Sequence, residues 1–482
     1  MPDITSLKPE LLWKHFAALC KIPRPSKHEM AAARYVQEVA SGLGLSYKCD
    51  DVGNVVVSKA ATAGREKSPT VVLQSHLDMV PQKNAGVEHD FYKDPIIPVI
   101  DGEWVRAEKT TLGADNGIGA AAMLAVLEDQ GLRHGPIEAL FTVDEESGMG
   151  GVLGLKPGFI TGRMLINLDS EDEGRICIGC AGGLDCNAEI ISPVEKTSSG
   201  RIAFSVALTG LRGGHSGIDI HLGRGNAIKL LNRVLFNSLQ ELDIRLSGFY
   251  GGSVRNAIPR EAFATVVVPD VYKDEFRTFL TVQENFLKKE YSLSDPDLRI
   301  VFEEVELPEQ VLTEPAQGNL LRVIYACPNG VMRMSDSAPG VVETSNNLAV
   351  LKCENGKTHI QCLLRSSSDS AKDDLANAVL SSLSLAGAHV EFASGYPGWT
   401  PDPSSKLLEL MLSVHENLFR RKAEVEVIHA GLECGIIGSK YSGMDMVSCG
   451  PTLCHPHSPD ERVNIGSVER FWTYLKGVVE RV

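Results

Sequence analysis

Residues 138–148 read EALFTVDEESG, from Glu138 to Gly148. Ala139 to Val143 is an apolar run of strand type. It stops at three consecutive acids, Asp144, Glu145 and Glu146, and then Ser147 and Gly148. Buried strands of α/β proteins read as short apolar runs, and ligands bind off their carboxyl ends. Adjacent carboxylates at such an end repel one another, so an opposite charge must offset them. A multivalent cation is the simplest candidate, and a solvated acidic turn is the alternative.

The same pattern recurs on both sides of this stretch. Pro69 to Val80, PTVVLQSHLDMV, is apolar until Ser75 and then presents His76 and Asp78. Gly113-Ala114-Asp115-Asn116-Gly117 precedes an Ala- and Leu-rich helix predicted over Ile118 to Glu128. Met164 to Leu168 reads as a strand ended by Asp169, Ser170, Glu171 and Asp172. Near the N-terminus, Ser26 and Glu29 stand three apart and look like a capping box opening a helix. Strands alternating with helices in this way argue for an α/β fold with a mainly parallel sheet.

Around residue 187 the texture changes. Asn187–Ile191, Ile202–Thr209 and Ala262–Val268 alternate apolar and polar residues, and helices fit Asn226–Leu239 and Tyr272–Lys289. Such alternation suits half-buried strands of an antiparallel sheet. A similar texture recurs from Val331 to Ala388, with no short-period repeat evident. After Tyr396-Pro397-Gly398 the first texture returns, with a helix over Ser405–Phe419, strands at Val425–Ala430 and Met444–Val447, and a last helix over Ile465–Val479. The simplest architecture is an α/β domain, residues 1–186 and 398–482, interrupted by an inserted α+β domain, residues 187–397.

A chain of 482 residues is too long for one core, which agrees with two domains. Net charge of −15 disfavours nucleic acid or an anionic membrane as partner. The first residues, MPDITSLKPELLWKHF, do not read as a secretory signal, and no run is long and apolar enough for a membrane span. The 11 cysteines are scattered and read as reduced thiols of a cytoplasmic protein.

The ionisable groups at strand ends in the outer segments are His76 with Asp78, Asp115, Glu145 with Glu146, Asp169, and His457 in CHPHSPDE. Imidazole with hard oxygen donors suits Zn, Mn or Co rather than a thiolate site. Asp78 lies two residues from His76, on the same face of an extended chain, and can orient it. Of two neighbouring glutamates, one can bind metal while the other works on a bound water.

Seven separated motifs agree in order: SHLDMVP (75–81), GADNGIG (113–119), TVDEESG (142–148), NLDSE (167–171), RGGHSG (212–217), RNAIP (255–259) and HSPDE (457–461). Together they resemble the co-catalytic zinc metallopeptidase superfamily of carboxypeptidase G, aminoacylase-1 and succinyl-diaminopimelate desuccinylase. HLDMVPQKN, GLECG and CHPHSPDE are similar to its Xaa-His (carnosine-type) dipeptidase branch. The resemblance implies two divalent metal ions, Zn with Co or Mn as substitutes. His76 and Asp169 would hold one, Glu146 and His457 the other, and Asp115 would bridge them. It implies Glu145 as general base and then acid, Asp78 as support for His76, and a cis peptide after Asp115. It further implies His215, Asn256, Arg365 and Glu433 as groups that hold a small peptide substrate, an inserted domain acting as lid or dimer contact, and a homodimer. The expected function is hydrolysis of unblocked dipeptides, Xaa-His included. A deacylase or carboxypeptidase on the same scaffold is the alternative, and a non-catalytic binding protein the remoter one.

Overall fold

The computed structural model describes residues 3–336 and 338–482. Its chain begins with helices Glu10–Cys20 and Met30–Gly42, which bury Leu12, Trp13, Phe16 and Val36. Six strands of the first sheet follow before the change of texture: β1 (Ser46–Cys49), β2 (Val55–Lys59), β3 (Val71–His76), β4 (Ile137–Thr142), β5 (Met164–Asn167) and β6 (Arg175–Cys180). Every residue of β3 and β4 is buried, the signature of central strands covered on both faces. Between them, helix Ala114–Glu128 carries apolar residues all round and is buried along most of its length.

Eight strands form the main sheet of the second region: β7 (Gly182–Ile191), β8 (Arg201–Thr209), β9 (Arg245–Gly251), β10 (Ala262–Pro269), β11 (Arg299–Val305), β12 (Val342–Glu354), β13 (Lys357–Ser366) and β14 (His389–Tyr396). They form one antiparallel sheet in the order β11-β8-β10-β9-β12-β13-β7-β14, with a ninth strand, Gly330–Met334, beside β12.

This order contains two halves of one design. In the first, β8, helix Ala227–Glu241, β9, β10, helix Lys273–Glu290 and β11 follow as strand-helix-strand-strand-helix-strand. In the second, β7, helix Glu314–Ala326, β12, β13, helix Asp369–Ser384 and β14 do the same. Each half places its strands in the spatial order fourth, first, third, second, and the second strands, β9 and β12, pair to fuse the halves. The first half is inserted in the chain just after the first strand of the other. A duplication nested in this way leaves no repeat of fixed period in the sequence.

Two last strands, β15 (Glu424–Ile428) and β16 (Asp445–Ser448), complete the first sheet, whose order is β1-β2-β4-β3-β5-β16-β6-β15. Its centre, β4-β3-β5-β16, is parallel. The pairings of β1 with β2, β2 with β4 and β16 with β6 are antiparallel. The parallel centre aims the carboxyl ends of β3, β4 and β5 at one rim.

The chain divides into two compact units: Met1–Gly179 with Pro401–Val427 and Leu432–Val482, and Cys180–Thr400 with Ile428–Gly431. The segment 428–431, expected with the α/β domain, belongs to the second unit, where the Ala181 N–H donates to the carbonyls of Ile428 and Ala430. The Ser26–Glu29 capping box does not form. Lys27 adopts a left-handed φ of 70°, and the helix starts only at Met30 with no side-chain cap. Cys177 and Cys180 lie three apart on β6, so they face opposite sides of the sheet and make no zinc knuckle.

Candidate active site

The site residues of the first unit stand just beyond the strands that the apolar runs marked. His76 closes β3 and is buried; Asp78, two residues on, is wholly buried. After β4 the chain turns at Asp144, with a left-handed φ of 54°, and presents Glu145 and Glu146. Asp169 follows β5 by two residues. Asp115 opens the central helix with extended, non-helical backbone, and its peptide to Asn116 is cis. His457 comes from the loop after β16 and is half exposed.

Asp115 stands at the centre of this group. Its Oδ1 lies 3.1 Å from His76 Nε2, which is also 3.4 Å from Asp169 Oδ1. Its Oδ2 lies 3.1 Å from His457 Nε2, which is also 2.9 Å from Glu146 Oε2. Two imidazole–carboxylate clusters therefore share one aspartate, each through a different oxygen. His76, Asp115 and Glu146 bring donor atoms within 4.8 Å of one another. Glu146 Oε1 is buried with no hydrogen-bond partner. A pair of hard divalent cations fits this donor set.

Asp78 supports both sides. Its Oδ1 is 3.3 Å from His76 Nδ1 and accepts the Glu145 N–H at 3.0 Å. Its Oδ2 accepts the Glu146 N–H at 3.0 Å and the Ser26 hydroxyl at 2.8 Å. Glu29, the other half of the expected capping box, accepts the Asp144 N–H at 3.0 Å. Both residues support the loop that carries the acids.

Charge sets the proton affinities. Burial, with Asp169, Glu146 and Glu433 nearby, pushes the Glu145 carboxyl well above its ordinary range, against the pull of His76. Burial raises Glu146 as well, although His457 opposes it. Burial would raise Asp115 too, but hydrogen bonds from His457 and His76 outweigh it and hold it far below the usual range. Asp78 is held at about 2, because His76 and the two amides outweigh its burial. Hydrogen bonds to Asp115 and Glu146 lift His457 to about 11. Burial lifts Glu171, a further acid facing this cluster, to about 8. Such an excess of carboxylate is what bound cations relieve.

Glu433 belongs to the same unit. It is the first residue of helix Glu433–Lys440 but does not cap it. Its Oε2 accepts from Gln74 Nε2 at 2.5 Å and Thr142 Oγ1 at 2.8 Å, its Oε1 has no partner, and burial raises its carboxyl to about 8.

The other expected substrate groups lie in the second unit. Arg365 on β13 is buried; its Nη1 donates to the Tyr396 hydroxyl at 3.3 Å and its Nε has no partner. His215 Nδ1 accepts the N–H groups of Gly217 at 3.2 Å and Ile218 at 3.0 Å, which places the proton of the neutral ring on Nε2. A Cβ on Gly217 would stand 2.0 Å from the His429 carbonyl, 3.1 Å from His215 Cε1 and 3.2 Å from Arg365 Nε, so the three converge on this glycine. Burial and then the Arg365 charge press His215 down to about 4 and His429 to about 3. The Asn256 side chain is exposed, and only its carbonyl joins the group, accepting the Ser216 N–H at 2.7 Å.

Sequence reasoning missed Arg24, Glu461, Gln74, Ser345 and His429. His429 pairs its Nε2 with Ser345 Oγ at 2.7 Å. Only Glu461 carried a signal, as the last letter of HSPDE.

A profile of peptidase family M20/M25/M40 matches residues 72–481. The chain is 46% identical over 482 residues to the cytosol non-specific dipeptidase of Escherichia coli strain K12, covering 100% of this chain and 99% of that one. It is similar to the solved aminoacylhistidine dipeptidase of Vibrio alginolyticus, with 47% identity and a TM-score of 0.94 over 100% of this chain and 98% of that one. The aminopeptidase PepT of Bacillus cereus, at 16% identity and a TM-score of 0.59 over 98% of both chains, shares the fold. By profile, sequence and fold alike, the chain belongs to peptidase family M20/M25/M40.

Proposed function

We propose that this chain is a cytoplasmic metallo-dipeptidase that hydrolyses unblocked dipeptides, Xaa-His substrates included. The observation that carries the reading is Asp115, whose two oxygens face two separate imidazole–carboxylate pairs with Glu145 beside them. His76 and Asp169 would hold one divalent ion, His457 and Glu146 the other, and Asp115 both. Zinc is the expected metal, with cobalt or manganese as substitutes. Such ions supply Lewis-acid activation of water and of the peptide carbonyl.

The rest is work for the chain's own groups. Glu145 takes a proton from the attacking water and returns it to the leaving amine. Its raised proton affinity suits that double role, because a base far weaker than its proton donor cannot collect the proton. Asp78 fixes the Glu145 and Glu146 amides and the His76 ring, so that the neighbouring glutamates face different tasks. Glu433, whose Oε1 has no partner, would receive the free ammonium of an unblocked substrate, a charge that would favour its ionised form. Arg365 would take the terminal carboxylate, and His215, a neutral N–H donor, the oxyanion. In this reading the second unit acts as a lid and the protein is a homodimer.

The test is a panel of unblocked dipeptides and N-acyl amino acids, assayed after chelation and reloading with Zn, Mn or Co. Dipeptides should turn over and the acylated compounds should lag well behind. Failure to cleave any unblocked dipeptide with metal supplied would remove the reading, and faster N-acyl hydrolysis would replace it with a deacylase. Light scattering tests the dimer.

A further inference from the structure

Two buried charges of the first unit have no part in the proton chemistry above. Arg24 is 2% exposed and Glu461 is 1% exposed. Neither touches a site side chain; both are spent on backbone. Glu461 Oε2 accepts the N–H groups of Leu112 at 2.7 Å and Gly113 at 2.9 Å, and its Oε1 those of Ala114 at 2.7 Å and Asp115 at 3.2 Å. Arg24 Nη1 donates to the carbonyls of Leu77 at 2.8 Å and Asp78 at 3.1 Å, and its Nη2 to that of Gly113 at 2.5 Å.

We infer that Arg24 and Glu461 are positioning residues that set Asp115 against its two imidazoles through the main chain. Four successive amides aimed at one carboxylate make an anion-binding turn, and here the anion is built in from a residue 349 positions away. Glu461 lies four residues after His457, so one short segment holds both the His457 ring and the Asp115 backbone. Arg24 ties the carbonyl of Gly113 to those of Leu77 and Asp78, the two residues that follow His76 in the chain. Glu461 thus sets the His457 side of Asp115 and Arg24 the His76 side. The turn departs from helical backbone at Asp115 and Asn116. Its other ties include the Gly117 N–H to the Gly113 carbonyl at 3.2 Å, and the bonds of Asn116 with the Ser75 hydroxyl and the Leu168 carbonyl.

The glycines of GADNG fit the same account. A Cβ on Gly113 would come 2.7 Å from Arg24 Nη2, and one on Gly117 would come 2.6 Å from the same atom. Both positions must be bare for the guanidinium to lie against the turn. A point charge on a flexible stem cannot serve three carbonyls as a planar fork does, so lysine is no substitute.

The catalytic consequence rests on the reading of Asp115 as a shared ligand; the clamp itself is testable without substrate or metal. The experiment is hydrogen exchange by mass spectrometry on the metal-free full chain, followed by cobalt titration. In the unmodified protein, peptides covering 112–115 should be protected as well as those of β3. In folded Glu461→Gln, exchange over 112–115 should quicken at least about tenfold while that of β4 stays unchanged, and cobalt affinity should fall about 10–100-fold. Arg24→Lys should weaken cobalt to a similar degree and lower kcat more than it raises KM. If Glu461→Gln does not fold, exchange in the unmodified protein and Arg24→Lys decide the matter. Free exchange over 112–115 in the unmodified protein, or unmodified cobalt affinity in a folded variant, would overturn the inference. A protein that cleaved no dipeptide yet kept these amides protected would discredit the proposed activity and leave the clamp standing.

Discussion

His76 and His457 in the first unit, and His215 and His429 in the second, are imidazoles in opposite surroundings. The first pair sits among Asp115, Asp169, Glu146 and Asp78, and those carboxylates draw protons onto the rings. The second pair sits beside the Arg365 guanidinium, and burial together with that charge drives protons off. Coulomb interactions are strong in such poorly solvated sites, so the charges beside each ring, together with its burial, decide whether it holds a proton. The first surrounding is anionic and the second cationic.

The largest effect should come from Asp115→Ala, because one substitution removes a donor from both clusters. Metal content should collapse and turnover should fall to background, read by elemental analysis and a dipeptide assay. A variant that kept both its metal and its activity would dissolve the idea of a shared ligand.

Next in size is Arg365→Met. Removing one partner of a buried charged contact costs about 2–5 kcal/mol. The loss should appear in kcat/KM for unblocked dipeptides, while metal content stays as it was. Loss of metal in this variant would show that the two charge clusters are not separable.

A smaller, pH-dependent effect follows from the same residue. His215 and His429 have folded-state proton affinities depressed to about 4 and about 3, against an ordinary value near 6.5. Below the ordinary value the unfolded chain binds more protons than the folded one. Their contribution to stability is therefore complete above about pH 6.5 and is lost as the pH falls toward those lower values. Arg365→Met should raise both affinities and flatten the acid slope of the thermal unfolding midpoint. Imidazole NMR titrations check the assignment; rings that titrate near 6.5 in the unmodified protein would contradict it.

The smallest effect is expected of Ser26→Ala, which removes one of the donors to Asp78. A single hydrogen bond to a charged group contributes about 1.5–3 kcal/mol at most, and Asp78 keeps two amides. Denaturant unfolding and kcat should both shift modestly in the same direction. An unchanged kcat would make Ser26 a bystander.

How much of this was legible in the sequence differs between the units for a physical reason. In the first, fully buried strands ending in His76, Glu145 and Asp169 are contiguous apolar runs that stop at charge, and a parallel centre must gather those ends on one rim. The final helix, Ile465–Val479, was readable to the residue. Strands β1 and β6 were not: β1, SYKC, is exposed throughout, so no apolar run marks it, and the direction of β6 leaves no mark on its short run. Ser26 and Glu29 matched a local cap by spacing, yet both serve partners more than 50 residues away. Arg24 and Glu461 were invisible in their roles, since buried charges that bond to backbone carry no pattern of their own. In the second unit, alternation revealed the antiparallel texture. The nested duplication stayed hidden because the insertion separates β7 from the helix that follows it.

The central claim is that Glu145 and Glu146, neighbours in the chain, do different work. The most direct measurement is metal content and turnover of Glu145→Ala and Glu146→Ala, made side by side on folded protein. The account predicts that Glu145→Ala keeps about two ions per chain and loses about 10²–10⁴ in kcat, whereas Glu146→Ala loses an ion. Equal metal content together with equal activity in the two variants would contradict it.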